Sequence, residues 1–174
     1  QIAGASTTTG DAETHAFVYS GGVMTDLGTL GGTTSYAVAI NDAGQIAGVS
    51  TTTGDAETHA FIYSGGVMTD LGTLGGTTSE AVAINDAGQL AGAASTLGDA
   101  ETHAFIYSAG VMTDLGTLGG TTSYAVAIND AGQVVGAATT VGDAETHAFL
   151  YGGGLMTDLG TLGGTISEAR AINS

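Results

Sequence analysis

The chain is one unit written four times at a period of 44 residues. Gln1-Ile-Ala-Gly returns as Gln45-Ile-Ala-Gly, Gln89-Leu-Ala-Gly and Gln133-Val-Val-Gly. His-Ala-Phe returns in step at His15, His59, His103 and His147. Met-Thr-Asp-Leu-Gly-Thr-Leu-Gly-Gly begins at Met24, Met68, Met112 and Met156. Residues 1–174 therefore read as a single repeat domain, with repeats 1–44, 45–88, 89–132 and 133–174. A unit this short cannot bury its apolar surface alone and must stack on its neighbours. Repetition also constrains function, because a catalytic site is usually one asymmetric constellation and four near-copies supply four of everything.

Each period reads as four extended segments separated by turn signals. Ala37–Asn41 leads through Asp42-Ala43-Gly44 into Gln45–Ser50. Asn-Asp-Ala-Gly between two apolar runs reads as a type I turn closed by a left-handed glycine, which makes a tight hairpin. A polar loop, Thr51–Thr58, precedes His59-Ala60-Phe61-Ile62-Tyr63, which is rich in aromatic and β-branched residues. Ser64-Gly65-Gly66 then turns the chain into Val67–Leu71. His59, Phe61 and Tyr63 fall on one face of their strand, with Ala60 and Ile62 on the other. A sheet that is apolar on both sides requires a sheet packed against each side.

These patterns predict an all-β protein: a four-bladed β-propeller built from four-stranded antiparallel blades. The chain begins at the second segment of a repeat and stops at the end of a first segment. The expectation is a ring closed by pairing of the N- and C-terminal strands, Ala169–Ile172 against the strand beginning Gln1-Ile2-Ala3-Gly4. The alternatives are an open repeat array or half of an eight-bladed ring. A start at Gln1 without Met also reads as a processed product or a segment of something longer.

Charge narrows the partners. Seventeen acids face one base, Arg170, for a net charge of −16. Nucleic acid and anionic membrane each require a Lys/Arg footprint, so neither is expected as a partner. No apolar run reaches the ~18 residues of a membrane span. The absence of cysteine excludes disulfides and thiolate metal sites. The near absence of Lys and Arg leaves few tryptic cleavage sites, which suits an extracellular protein.

The strongest candidate for chemistry is Asp11-Ala-Glu13-Thr-His15 and its copies: Asp55, Glu57, His59; Asp99, Glu101, His103; and Asp143, Glu145, His147. In an extended segment residues i, i+2 and i+4 share a face, so two carboxylates and an imidazole would converge on Zn²⁺. Carboxylates with loop carbonyls would suit Ca²⁺. The competing structural reading makes each His a strand-opening hydrogen-bonder that ties the loop or a neighbouring blade to the sheet. No cofactor is required on that reading. Asp26, Asp70, Asp114 and Asp158 precede Leu-Gly and are expected to accept backbone N–H bonds in the following turn. One column alternates Tyr36, Glu80, Tyr124 and Glu168. It reads as exposed, and Tyr36 and Tyr124 are candidate platforms for sugar rings.

The repeat resembles the HAF-type extracellular repeats of bacteria. The resemblance rests on His-Ala-Phe-hydrophobic-Tyr, then Gly-Val-Met-Thr-Asp-Leu-Gly-Thr-Leu-Gly-Gly, then Ser-x-Ala-x-Ala-Ile-Asn-Asp-Ala-Gly-Gln-Ile-Ala-Gly. Tyr19, Tyr63, Tyr107 and Tyr151 stand where that family often has Trp. The resemblance implies a secreted or surface protein with a propeller-like array and no catalytic residues. The leading expectation is a non-enzymatic extracellular structural or interaction module. A symmetric glycan- or calcium-binding propeller and a self-associating filament subunit are the alternatives.

Overall fold

The computed structural model describes all 174 residues. Fifteen strands form four units, and the only helical pieces are single 3-10 turns. The first unit holds β1 (Ile2–Thr7), β2 (Thr14–Ser20) and β3 (Val23–Gly28). The second holds β4 (Gly31–Ile40), β5 (Ile46–Thr52), β6 (Thr58–Ser64) and β7 (Val67–Asp70). The third comprises β8 (Gly75–Ile84), β9 (Leu90–Thr96), β10 (Thr102–Ser108) and β11 (Val111–Asp114). The fourth comprises β12 (Gly119–Ile128), β13 (Val134–Thr140), β14 (Thr146–Gly152) and β15 (Leu155–Asp158).

Within a unit, neighbouring strands pair antiparallel, through tight turns except where the polar loop of residues 53–57 joins β5 to β6. At the first hairpin Gly44 takes φ +76°, and its N–H donates to the Asn41 carbonyl at 3.0 Å. Glycine adopts that left-handed geometry without a Cβ clash. A register shift between Ala37 and Ala39 bulges β4, leaving Val38 exposed. The start of each first strand lies on the preceding unit. Thr34 pairs in parallel with Thr14 of β2 before β4 leaves to join β5. This hand-over merges the four units into one mixed sheet.

The core lies between successive units. Ala16 and Leu27 of the first face Ile46 and Phe61 of the second, with Leu30, Tyr63 and Met68 packed around them. Ala47, Ala60 and Leu71 of the second face Leu90 and Phe105 of the third. Ala91, Ala104 and Leu115 of the third face Val134 and Phe149 of the fourth. Each interface thus sets a small-residue face against an aromatic one. Phe61 and Tyr63 point back and Ala60 and Ile62 point forward, as the alternation in β6 requires.

The expected ring closure is not formed. Ala169–Ile172 does not pair with β1, the sheet is not closed, and the sixteenth strand is missing. The terminal segment instead lies on its own fourth unit. Ser167 N–H donates to the Thr146 carbonyl at 2.8 Å, and Ala169 N–H to the Gly136 carbonyl at 3.2 Å. These contacts reproduce the start of a first strand but supply no hairpin partner beyond it.

Candidate functional site

The repeated histidine sits at the start of β2 and its equivalents, next to the polar loop. Its ring is held between two carboxylates. His15 Nδ1 lies 2.8 Å from Asp26 on β3, and Nε2 lies 3.0 Å from Glu13 in the loop. The same pair of contacts recurs around His103 and His147. In the second repeat Nδ1 keeps Asp70 at 2.9 Å. There Nε2 stays 3.0 Å from Glu57 without the alignment of a hydrogen bond. Imidazole with a carboxylate on each nitrogen favours its protonated form. The Asp26 hydrogen bond accordingly raises the His15 pKa against the opposing effect of burial. Asp158, then Glu145, raise that of His147. His147 and the Gly160 N–H in turn hold the Asp158 carboxyl below its ordinary range.

Asp11 does not join this group. It takes φ +54°, as do Asp55 and Asp143, and Asp99 takes +55°. That left-handed step interrupts the extended alternation that would have put Asp11, Glu13 and His15 on one face. Asp55 turns instead to the preceding repeat. It accepts from the Thr33 N–H at 2.7 Å, the Thr33 hydroxyl at 3.0 Å and the Thr51 hydroxyl at 2.6 Å. Asp99 binds Ser95 and Thr77, and Asp143 binds Thr139 and Thr121, in the same way. These hydroxyl and amide donors lower the pKa of all three aspartates. Glu57–His59, Glu101–His103 and Glu145–His147 stay together, while the aspartate of each set fastens a loop. No group of three His, Asp or Glu side chains is arranged to hold a metal ion.

Asp26, Asp70, Asp114 and Asp158 each accept the N–H two residues on at 2.7 Å, as the turn reading expects. Their second role, clamping the histidine 11 residues earlier, was not read from the sequence. The shared 11-residue offset across four copies was the available signal. A further cross-repeat link was also missed. Asn41 Nδ2 donates to the Asn85 carbonyl, Asn85 to Asn129, and Asn129 to Asn173, each at 2.9 Å. The Ile-Asn-Asp turns of this ladder line one cavity of about 300 Å³, together with Ile172, Asn173 and Ser174.

Tyr36 and Tyr124 are exposed, at 46% and 50%. Tyr124 lines a cavity of about 410 Å³ together with Glu80 and the hydroxyl residues Thr58, Thr78, Ser79, Ser95 and Thr102. Tyr36 lines a smaller one, about 230 Å³, with Thr34, Thr51 and Thr58. Both cavities reach Val49.

No family model matches the chain, and no curated protein matches it in sequence. No helix is long and apolar enough to cross a membrane.

Proposed function

We propose that this chain is a non-enzymatic structural and interaction module of a secreted or cell-surface bacterial protein, built from HAF-type repeats. The observation that carries the reading is where the polar side chains are spent. In the second unit His59 is held by Asp70, Asp55 by Thr33 and Thr51, and Asn41 by Gln45 and by Asn85 of the next unit. The same assignments recur along the array, so the chemistry of the repeat goes into cohesion. We read the four units as propeller-type blades, and the one cavity shared by the three Asn-containing turns and the terminal Ile172, Asn173 and Ser174 supports that arrangement. The net charge of −16 speaks against nucleic acid and anionic membrane as partners. The test is to replace all four histidines with Gln and compare metal content and calcium or zinc titration heats with the parent. The expected result is lower stability and no stoichiometric metal in either protein. Bound zinc in the parent that vanishes in the variant would overturn it.

A second reading is favoured by one observation. Tyr124 presents an exposed ring at a cavity that also holds a carboxylate and five Ser/Thr hydroxyls, a combination suited to neutral glycans. Glycan-array binding that disappears in Tyr124→Ala would support it. Identical silence in both proteins would remove it.

A further inference from the structure

Glu80 stands apart from the other acids of the array. The aspartate of each polar loop is taken by threonine or serine hydroxyls. The glutamate two residues on and the aspartate of the Asp-Leu-Gly turn are taken by histidine. Asp86 and Asp130 accept backbone N–H bonds from Asp42 and Asp86. Of the seventeen carboxylates, Asp42 and Glu80 alone have no hydrogen-bond or ion-pair partner. An unpaired carboxylate in a chain of net charge −16 gains from any cation that reaches it. Its counterpart Glu168 shows such a pairing, with the Arg170 guanidinium at 2.7 Å. Val82 stands in the place of Arg170 beside Glu80, and the chain has no second basic residue to offer.

Glu80 lies in β8, at the wedge that opens where this strand leaves β6 to join β9. Thr58 of β6 pairs in parallel with Thr78, and Glu80 then pairs with Ala93 of β9. This wedge is the cavity of about 410 Å³ that Tyr124 lines. Small-ligand pockets span ~300–1,000 Å³. Val49 of the second unit, Ala93 of the third and Tyr124 of the fourth all face it, so three units build it. Its hydroxyls are not equally free. Ser79 donates to the Gly72 carbonyl and Ser95 to Asp99. Thr58 and Thr102 are half-buried, and their hydroxyls make no hydrogen bond within the chain. The matching wedge of the second unit has Tyr36, Val49 and Ser50 in place of Glu80, Ala93 and Ala94. It encloses about 230 Å³ and holds no carboxylate.

On the basis of the glycan reading of Tyr124, we propose that this wedge binds an oligosaccharide of amino sugars. A protonated amine sits on Glu80, a pyranose face on Tyr124, and ring hydroxyls on Thr58 and Thr102. The face of a sugar ring presents C–H bonds that stack on an aromatic ring, while its rim needs polar partners. A neutral sugar would offer Glu80 only hydroxyl donors. An ammonium makes a charge-assisted bond, roughly twice as strong. An anionic sugar is repelled by Glu80 and by the net charge of −16.

Titration calorimetry of the whole chain in mildly acidic, low-salt buffer compares a glucosamine oligomer, whose amines are protonated, with its N-acetylated counterpart. The amine form should bind at least about tenfold more tightly, and added salt should narrow the gap. Glu80→Gln should bring the two oligomers to the same affinity and leave the unfolding curve unchanged, because the side chain is exposed and unpartnered. Asp42→Asn removes the same charge from the other unpartnered acid, at the Asn-containing turns, and should keep the preference intact. Tyr124→Ala should weaken both oligomers alike. Equal binding of the two oligomers to the parent overturns the amine assignment and leaves the glycan reading standing. Silence toward both removes the two together. A preference that survives Glu80→Gln, or that falls as far in Asp42→Asn, traces to net charge and overturns the site. A linear polyamine that binds as tightly as the oligomer overturns it as well, since Glu80 would then act without the Tyr124 ring.

Discussion

Two residues set the energetic contrast within the repeat. Phe61 is completely buried between the first and second units, while its equivalent Phe17, on the face of the first unit that no other described unit covers, is only half-buried. Phe61→Ala should therefore cost ~3–5 kcal/mol, the usual range for a large core aromatic. Phe17→Ala should cost distinctly less. Urea unfolding of the two variants side by side measures the difference, and equal losses would mean that the first unit is covered in solution. The histidine clamps make a pH prediction. Folding raises the His15 and His147 pKa values above the ordinary 6.5. Their contribution is therefore complete below that value and lost as pH rises through the raised folded value. The paired carboxylates Asp26 and Asp158 are lowered from 3.8, and theirs is lost as pH falls through the lowered value. Stability should peak in mildly acidic solution, and His15→Gln with His147→Gln should flatten the alkaline limb. An unchanged limb would assign the alkaline loss to other groups.

At the scale of the strand, close backbone approach explains a glycine that propensity alone would disfavour. Gly92 lies in β9, where a Cβ would press on the Glu80 carbonyl and the Phe105 ring. Gly92→Ala should destabilise by ~1–3 kcal/mol or more, since one of the two neighbours is backbone and cannot rotate away. A neutral result in thermal unfolding would mean that β8 yields at its bulge. Strand identity, hairpin turns and the two apolar faces were legible in the sequence because alternation and turn chemistry are local. The Ala60/Phe61 facing follows from side-chain period alone. The expected one-face grouping of Asp11, Glu13 and His15 is broken at Asp11, because a single left-handed dihedral reverses a face, and aspartate, though enriched in that region among non-glycine residues, adopts it in only a minority of positions. The Asn41–Asn85 ladder was invisible for another reason. It joins equivalent positions in different repeats, and nothing within one repeat specifies it.

For the whole molecule, the interfaces between units decide how stability scales. Closure was an architectural expectation the structure did not meet, because the sequence shows that the terminal strands match but not the rotation between successive units. An open array and a closed ring respond oppositely to a change in repeat number. Deleting residues 45–88 joins Gly44 to Gln89, which recreates the Gly-Gln junction of every internal hairpin. The deletion removes one unit and one of three equivalent interfaces, leaving the others intact. In a one-dimensional array, stability is nearly a sum of unit and nearest-neighbour contributions. The three-repeat chain should therefore stay folded and β-rich, with a lower urea midpoint and a shallower denaturant dependence in proportion to the surface lost. A five-repeat chain made by duplicating residues 45–88 should shift both quantities the other way. A ring that depends on four units would lose its structure on deletion and strain on insertion. Collapse of the three-repeat chain together with destabilisation of the five-repeat chain would thus show that closure, rather than stacking, holds the molecule together.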